Sequence, residues 1–394
     1  MIPRRRVALR VSGEGGGVVA VEQSVLTASL GLRSAIGRWA GLGPYYAMFP
    51  REFAFQVVAE FTRPGDAVLD PFAGRGSSVY AAAALGRQGL GIEINPVGWL
   101  YGGVKLGPGD KGRVLARLQE MGEIAASADL GPPEETGEFF KSCFCLRVLR
   151  FLGTCRDTLK WHQSKVDATL MAIILVYLHG KRSESLSNQM RQTKAMSPPY
   201  SVRWWRDKGL DPPEVDPVEF LRRRIEWRYA KGTPGLSLGQ MVLGDSGTEV
   251  RRLSRLVAHG RMERFNLLFT SPPYCGVTNY HADQWLRLWM LGGPASPVSR
   301  EGFSRGRFSA RDQYSELLKN VFTGCAGLLE KDATIYVRTD KRPFTLEATL
   351  EALANAFPSK SVVRRANRPY SKETQTALFG DHTPKPGEVD LVLQ

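Results

Sequence analysis

The sequence predicts an α/β fold with a sheet of about seven strands, interrupted by a large, mainly helical insertion. Apolar strand-like runs alternate with helical patterns up to residue 106 and again from residue 239, and three of these runs end at an acid: Asp70, Glu93 and Asp245. Between residues 107 and 238 the alternation stops and helical patterns dominate. We therefore expect an N-terminal arm (1–43), a first half of the core (44–106), the insertion (107–238) and a second half of the core (239–394).

The composition limits the class of protein. The 394 residues exceed one ordinary domain. Lys and Arg outnumber Asp and Glu by 53 to 39, which favours a polyanionic partner such as nucleic acid, although a generally basic soluble protein would have the same balance. The five cysteines form no Cys-x-x-Cys pair, so we expect neither a disulfide framework nor a metal site. No apolar run approaches the roughly 20 residues of a membrane span, and no signal peptide follows the basic start, so we expect a soluble protein of the cytoplasm.

The first half of the core has the succession expected of a nucleoside site. Its predicted elements are, in order, the helix Arg51–Phe61, the strand Ala67–Asp70, the loop Pro71–Ser78, the helix Val79–Leu85 and the strand Gly89–Ile92. Glycines in the loop let the backbone approach a ligand, and the start of the helix offers free N–H groups. Glu93, about 20 residues after the loop, can accept both hydroxyls of a ribose. These features predict a Rossmann-like nucleoside site.

The loop lacks the Gly-Lys-Ser/Thr of a Walker loop and the third glycine of the dinucleotide fingerprint. A cofactor with a ribose but no phosphate therefore fits better than ATP or NAD. S-adenosylmethionine is the common cofactor of that kind.

The insertion carries most of the excess positive charge. Residues 141–231 contain 18 Lys and Arg against 9 Asp and Glu. Aromatic residues lie between the basic ones, a mixture that phosphate contacts, base contacts and stacking all use. The candidate DNA-binding residues are Arg203, Trp204, Arg206, Arg222 and Arg223, with Arg305 and Arg307 in a Gly/Ser/Arg-rich loop further along the chain. The alternative is a solvated face with aromatic side chains packed beneath it.

The second half of the core contains a strand that stops abruptly at two prolines. Phe265–Phe269 continues into Thr270-Ser271-Pro272-Pro273-Tyr274, and prolines cannot extend a strand because each fixes φ and lacks an N–H. The carbonyls of Ser271 and Pro272 stay free and Tyr274 lies beside them, which suits a flat group that carries an amine. The other predicted elements are a strand ending at Asp245, the helices Val250–His259, Trp285–Leu291, Gln313–Leu329 and Thr345–Phe357, and the strands Ala333–Arg338, Ser361–Arg365 and Val389–Leu393.

These motifs resemble the DNA amino-methyltransferases, which methylate N4 of cytosine or N6 of adenine. The loop Asp70–Gly76 is similar to the family's cofactor loop, in which Gly-Ser-Gly usually stands where this chain has Gly74-Arg75-Gly76. Tyr46–Pro50 is similar to the segment around the methionine end of the cofactor. Ser271–Tyr274 is similar to the catalytic motif, in the form most associated with cytosine N4. The cofactor half comes first in this chain, and the insertion precedes Asp245.

The resemblance implies a Rossmann-like seven-stranded methyltransferase sheet and a role for each motif. It implies that S-adenosyl-L-methionine is bound by Tyr46, Phe49, Pro50, Asp70, Pro71, Phe72, Gly74, Gly76, Ser77, Ser78, Glu93, Asn95, Asp245 and Ser246. It implies that the catalytic residues are Ser271, Pro272, Pro273 and Tyr274. The implied partner is double-stranded DNA in a prokaryotic nucleoid, with a cognate restriction endonuclease by analogy alone. The oligomeric state stays open between monomer and homodimer.

The sequence also contains a second copy of the tetrapeptide and a cysteine beside the first, and it is compatible with two other functions. Ser197–Tyr200 repeats the catalytic tetrapeptide but follows polar residues, so we expect a rigid turn there and no catalytic role. Cys275 adjoins the motif, but Tyr274 separates it from the prolines, which argues against a cysteine nucleophile. The other functions are methylation of an exocyclic amine in RNA, and nucleic-acid binding by an inactive methyltransferase fold.

Overall fold

The chain folds around one seven-stranded sheet. The computed structural model describes residues 31–44, 49–127, 137–276, 280–297, 308–368 and 387–394. The strands run in the order β3-β2-β1-β4-β5-β7-β6 across the sheet. β7 is antiparallel to β5 and β6, and the other neighbouring strands are parallel. The strands are β1 Ala67–Asp70, β2 Gln88–Glu93, β3 Gly239–Leu243, β4 Phe265–Thr270, β5 Leu329–Asp340, β6 Val362–Arg368 and β7 Glu388–Leu393. The predicted α/β fold with seven strands is confirmed.

Helices precede, connect and follow these strands. The helices of the N-terminal region and first half are α1 Ala35–Ala40, α2 Arg51–Phe61, α3 Ser77–Ala84 and α4 Pro96–Leu106. Those of the insertion are α5 Lys111–Ser127, α6 Glu138–Cys143, α7 Leu146–Thr158, α8 Lys165–Tyr177, α9 Pro198–Asp207 and α10 Pro217–Tyr229. Those of the second half are α11 Ser246–Ala258, α12 Tyr280–Asp283, α13 Trp285–Met290, α14 Arg311–Ala326 and α15 Pro343–Ala356. None of the helices in the described ranges is long and apolar enough to cross a membrane.

The two faces of the sheet are covered by different parts of the chain. Side chains alternate between the faces along a strand, so Val68 and Leu267 point to one layer and Leu69 and Leu268 to the other. The first layer contains α2, α3, α4 and the helices of the insertion in one continuous apolar core. The second contains α11, α14 and α15. The described insertion thus shares its core with the first half of the chain.

The strand order brings distant motifs to one edge of the sheet. β1 pairs in parallel with both β2 and β4, although about 200 residues separate β1 from β4. The loops that follow Asp70, Glu93 and Thr270 therefore start side by side. The carboxyl end of β3 lies at the same edge of the sheet, because Leu243 is opposite Glu93 in the parallel pair β2–β3. Ligands of open parallel sheets bind at this carboxyl edge.

The repeated tetrapeptide is not the turn that the sequence predicts. Ser197 is the N-cap of α9, and Pro198 and Pro199 occupy the first positions of that helix. Proline is favoured there because its missing N–H would have no partner in a helix and its fixed φ suits the first turn. The copy at Ser197 therefore begins a helix of the insertion, whereas the copy at Ser271 follows a buried strand.

Candidate active site

An open pocket lies at the carboxyl edge of β1, β2 and β4. Both halves of the core contribute to its walls, and so does the segment that precedes α14. Its lining residues are Phe49, Asp70, Phe72, Ala73, Gly74, Arg75, Ser77, Ile92, Glu93, Ile94, Asp245, Ser246, Ser271, Pro273, Phe308 and Leu317. Residues of the predicted cofactor loop and of the predicted catalytic motif thus line the same cavity.

Asp70 ties the cofactor loop to the strand that carries the catalytic motif. Its buried carboxylate accepts hydrogen bonds from the Ser78 hydroxyl, from Thr270 Oγ1 at 2.7 Å and from the Phe72 amide at 3.1 Å. Burial raises the pKa of Asp70 to about 6, and the three hydrogen bonds oppose that rise because they favour the charged form. The carboxylate therefore fixes the end of β1, the start of α3 and the end of β4 relative to one another.

Glu93 holds the glycine loop against the end of β2. One carboxylate oxygen accepts the Gly74 amide at 2.7 Å and the other accepts the Asn95 amide at 2.7 Å. Each oxygen keeps a second lone pair for a ligand. Burial raises the pKa of Glu93 to about 8, against the effect of the two amide hydrogen bonds. The position and chemistry of this carboxylate suit a pair of ribose hydroxyls.

The glycines of the loop serve two different purposes. Gly74 (φ 54°) and Gly76 (φ 70°) both adopt left-handed backbone conformations, which non-glycine residues rarely adopt. Gly74 lines the pocket. A Cβ on Gly76 would lie 2.9 Å from Met241 Sδ, so this glycine allows the loop to pack on β3.

Asp245 and Ser246 join the start of α11 to the cofactor loop. The Asp245 side chain caps the helix by accepting the Thr248 amide at 3.1 Å. Ser246 Oγ donates to the carbonyl of Pro71 at 2.5 Å. Both residues line the pocket, on the side of β2 and β3.

The catalytic motif leaves β4 and passes along the pocket wall. Ser271 and Pro273 line the cavity, Pro272 is buried, and Tyr274 is half-buried. The Tyr274 hydroxyl donates to Glu388 Oε1 at 3.1 Å, and Ser271 Oγ lies 3.5 Å from the Tyr274 oxygen. Burial, and then the Glu388 carboxylate, raise the pKa of Tyr274 well above its ordinary value. The tyrosine is thus neutral and tethered through its hydroxyl to the start of β7.

The predicted methionine-end segment is only partly described. Phe49 lines the pocket and stacks on Phe269 of β4, with ring centroids 4.7 Å apart and planes 10° from parallel. Pro50 is the N-cap residue of α2 and lies outside the lining. Tyr46 falls outside the described residues.

Several predicted cofactor residues support the pocket from behind. Ser78 binds Asp70, the Pro71 carbonyl accepts Ser246, and Gly76 packs on Met241. The Asn95 side-chain oxygen caps α4 by accepting the Val97 amide at 3.0 Å. The predicted cofactor residues that do not line the cavity themselves are Pro71, Gly76, Ser78 and Asn95.

The cavity is also lined by residues outside the predicted set, namely Ala73, Arg75, Ile92, Ile94, Phe308 and Leu317. The sequence does single out Arg75, since this residue stands between the two loop glycines, where the resembled family usually has serine. The sequence also singles out Thr270, which binds Asp70, because Thr270 directly precedes Ser271. Nothing in the sequence points to Phe308 and Leu317, because only the fold brings the start of α14 to this edge.

The candidate DNA-binding residues lie on two helices of the insertion. On α9, Arg203 is exposed, Arg206 Nη2 lies 2.5 Å from Glu138 Oε1, and Trp204 packs partly against the core. On α10, Arg222 and Arg223 share Glu219, at 3.8 and 3.0 Å. Arg305 and Arg307 lie outside the described residues. Within the ranges that the structure describes, no cluster of three potential metal ligands occurs.

Solved structures give only weak similarity over the whole chain. TrmN from Thermus thermophilus has a TM-score of 0.34 at 12% identity, covering 91% of this chain and 52% of that chain. The rRNA methyltransferase aviRa from Streptomyces viridochromogenes also has a TM-score of 0.34 at 12% identity, covering 93% of this chain and 92% of that chain. These scores are too low to support an assignment.

Sequence comparisons give a specific but short match. The family of DNA methylases of the N6/N4 type matches residues 26–97. The Type II methyltransferase M.Cfr9I of Citrobacter freundii is 43% identical over 54 residues, and M.SmaI of Serratia marcescens is 43% identical over 53 residues. Each alignment covers 14% of this chain and 18% of the relative. Over residues 26–97, this chain thus matches the N4/N6 family of DNA amino-methyltransferases, as its motifs predict, and the match supports S-adenosyl-L-methionine as the cofactor.

Proposed function

We propose that this protein is a DNA methyltransferase that transfers a methyl group from S-adenosyl-L-methionine to an exocyclic amine, and that this amine is N4 of cytosine. One observation carries the proposal: the cofactor loop, Glu93 and the first and third residues of the Ser-Pro-Pro-Tyr motif line the same pocket. A nucleoside cofactor and an amine acceptor can therefore meet there. The match of residues 26–97 to a family of DNA methylases supports DNA as the acceptor.

The pocket suits the cofactor in the chemistry of its donors and acceptors. Glu93 would accept the ribose hydroxyls, and the side of the pocket formed by Asp245 and Ser246 would hold the adenine. The left-handed Gly74 leaves room for the cofactor beside the loop backbone. When bound, S-adenosyl-L-methionine supplies an electrophilic methyl group on a sulfonium.

The catalytic motif would orient the acceptor base. An exocyclic amine is a poor nucleophile because its lone pair is delocalised into the ring. The carbonyls of Ser271 and Pro272 would accept the amine hydrogens and localise that lone pair, and Tyr274 would stack on the ring. The base must first leave the duplex, which costs a few kcal/mol of unstacking. Rate enhancement in this scheme comes from positioning, and no covalent enzyme intermediate is needed.

Adenine N6 is the nearest alternative acceptor, because the same carbonyl pair would serve it. The form Ser-Pro-Pro-Tyr favours cytosine by its resemblance to the cytosine-N4 enzymes. An exocyclic amine in RNA is a further alternative. An inactive nucleic-acid-binding protein is disfavoured, since Asp70, Glu93 and the whole catalytic motif are present.

The test is a transfer assay with purified protein and tritiated S-adenosylmethionine. Duplex DNA, single-stranded DNA and tRNA compete as acceptors, and the products are digested to nucleosides and identified by mass spectrometry. We expect label in duplex DNA as N4-methylcytosine. Label only as N6-methyladenine would correct the base, and label only in tRNA would refute the DNA proposal.

The two tetrapeptides provide a matched pair of variants. Tyr274→Ala should abolish transfer while cofactor affinity persists, because the ring is proposed to hold the base and not the cofactor. Tyr200→Ala removes the equivalent, exposed tyrosine on α9 and should leave transfer intact. Loss of cofactor binding in Tyr274→Ala, or equal loss of transfer in both variants, would mean that the motif has another role.

The basic insertion should make DNA binding dependent on salt. Each phosphate neutralised by the protein steepens the fall of affinity with salt concentration. Arg203→Ala should reduce the slope of log K against log salt by about 1 if this exposed arginine contacts a phosphate. Arg255→Ala, an exposed arginine on α11, is the control and should leave the slope unchanged. An identical slope in both variants would remove Arg203 from the interface.

A further inference from the structure

Glu388, the first residue of β7, joins the catalytic motif to a buried guanidinium. Its Oε1 accepts the Tyr274 hydroxyl at 3.1 Å, and its Oε2 lies 3.3 Å from Arg338 Nη1. The Glu388 side chain is 45% exposed and does not line the pocket. One carboxylate thus contacts the tyrosine of the motif on one side and an arginine of β5 on the other.

Arg338 is held firmly by its other contacts. It is 4% exposed, and its Nε and Nη2 donate to the two carboxylate oxygens of Asp390 at 2.7 and 3.0 Å. Its Cζ lies 3.5 Å from the centre of the Phe53 ring of α2. The bidentate fork and the stacking contact leave the guanidinium little freedom to move, and they leave its Nη1 for Glu388.

The register of the sheet explains why both carboxylates reach the same arginine. Arg338 lies opposite Asp390 in the antiparallel pair β5–β7. Glu388 precedes Asp390 by two positions, so the two acidic side chains point to the same face of β7. The sheet therefore sets where the Glu388 carboxylate stands relative to Tyr274.

The charge of Arg338 is balanced without Glu388. Asp390 is 0% exposed and pairs with the buried guanidinium at 2.7 Å. Glu388 lies at a half-exposed position, where water can solvate its carboxylate, so the buried charge does not require a second acid. The contact that distinguishes Glu388 is the hydrogen bond from Tyr274.

We propose that Glu388 is a positioning residue for methyl transfer: its carboxylate, anchored by Arg338, holds the Tyr274 ring in the orientation that receives the acceptor base. This inference rests on the proposed function. A tyrosine side chain turns about two torsions, and a hydrogen bond to the hydroxyl at its far end restrains both. The ring is thereby oriented before the base arrives, which lowers the entropic part of the barrier to transfer. Ser271 Oγ, 3.5 Å from the Tyr274 oxygen, is a longer second contact.

Single-turnover transfer rates of the whole chain test this role. Glu388→Ala should lower the rate about three- to tenfold, less than the loss of a fully buried hydrogen bond to a charged group, because Glu388 is 45% exposed. The affinity for S-adenosylhomocysteine should stay within about twofold, since Glu388 does not line the pocket. Glu388→Gln keeps one oxygen that can accept the Tyr274 hydroxyl and loses the one that faces Arg338, so its rate should lie between those of Glu388→Ala and the wild-type protein. Glu330→Ala removes an exposed glutamate of β5 and is the matched control, with an unchanged rate.

A double variant separates the positioning of Tyr274 from a merely structural role. If Glu388 acts through the tyrosine hydroxyl, Tyr274→Phe should lower the rate to a similar extent, and adding Glu388→Ala to it should cause no further loss. Losses that multiply in the double variant would overturn the inference, because Glu388 would then act independently of the hydroxyl. A wild-type rate in Glu388→Ala would overturn it too. So would a wild-type rate in Tyr274→Phe, a result that does not depend on the folding of any Glu388 variant.

Cofactor affinity and wild-type activity complete the test. A loss of affinity for S-adenosylhomocysteine in Glu388→Ala as large as the loss of rate would overturn the inference, because Glu388 would then support the pocket and not the ring. Wild-type transfer that these variants leave unchanged would refute the inference alone. If the wild-type protein transfers no methyl group to any acceptor, the proposed function fails together with the inference.

Discussion

The protonation of Glu93 should control how tightly the pocket binds a nucleoside. Burial raises the pKa of Glu93 to about 8, so at pH 7 only about a tenth of the molecules carry the carboxylate that accepts two ribose hydroxyls. At pH 9 about nine tenths carry it. If only the ionised form binds, the dissociation constant should fall about tenfold from pH 7 to pH 9, equivalent to about 1.4 kcal/mol. Binding should therefore release a proton.

The assay is titration calorimetry with 5′-methylthioadenosine, a nucleoside without an amino-acid end and hence without a group that ionises between pH 7 and 9. Buffers of different ionisation enthalpy report the released proton. Glu93→Gln should bind weakly and with no pH dependence over this range. Asp70, whose pKa is about 6, is already ionised there and should not contribute. A constant affinity for the wild-type protein, or the same slope in Glu93→Gln, would refute the reasoning.

The same shift in pKa has a consequence for stability without ligand. A carboxyl whose folded-state pKa is raised stabilises the folded protein fully below its ordinary pKa of 4.5, and this contribution is lost as the pH rises through 8. The ligand-free protein should therefore become less stable as the pH rises through 8, as urea titrations at several pH values would report. Glu93→Gln should reduce this trend.

Three other substitutions test the packing around the pocket. Gly76→Ala should lower stability by about 1–3 kcal/mol, because the left-handed backbone and the contact with Met241 both oppose a side chain. Gly86→Ala is the control: Gly86 also has a positive φ but lies in open space, so this substitution should cost less. Thermal unfolding of the two variants compares the costs. Thr270→Val should cost about 1–2 kcal/mol in urea unfolding because Asp70 loses one of its donors, and an unchanged midpoint would contradict that role. Tyr274→Phe removes the bond to Glu388 and should lower the transfer rate several-fold with cofactor affinity unchanged, whereas a full rate would show that the tether is dispensable.

Local patterns were enough to predict the strands and the cofactor loop. The strand ending at Asp70 and the strand ending at Glu93 are short apolar runs next to glycines, and both form as predicted. The apolar run before Ser271 also forms a strand, which ends at Thr270, just before the prolines. The carboxyl edge that gathers these ends follows from parallel pairing, which the alternation of strands and helices already indicates.

Contacts between distant segments could not be predicted. Nothing near Tyr274 in sequence indicates that its hydroxyl meets Glu388, 114 residues later. The repeated Ser-Pro-Pro-Tyr becomes the start of α9, because prolines that end a strand also suit the first turn of a helix. The helical pattern over residues 139–152 has no break in the sequence, yet these residues form two helices, α6 and α7, and the Asn188 amide donates to the Cys143 carbonyl at the break. Such partners depend on the packing of the insertion.

The adjacency of β1 and β4 sets the order in which this protein can be completed during synthesis. Thr270 donates to Asp70, 200 positions earlier in the chain. β1 therefore lacks β4, its second neighbour in the sheet, while those residues are translated, which takes roughly 10–40 s at 5–20 residues per second. The helices of the insertion emerge in that interval, and they cover the face of the sheet that carries Val68. The open edge of β1 closes when β4 leaves the ribosome, and the next residues to emerge are the catalytic motif. A nascent chain that stalls before β4 would present an unpaired strand edge, which is a target for chaperones and a site for aggregation.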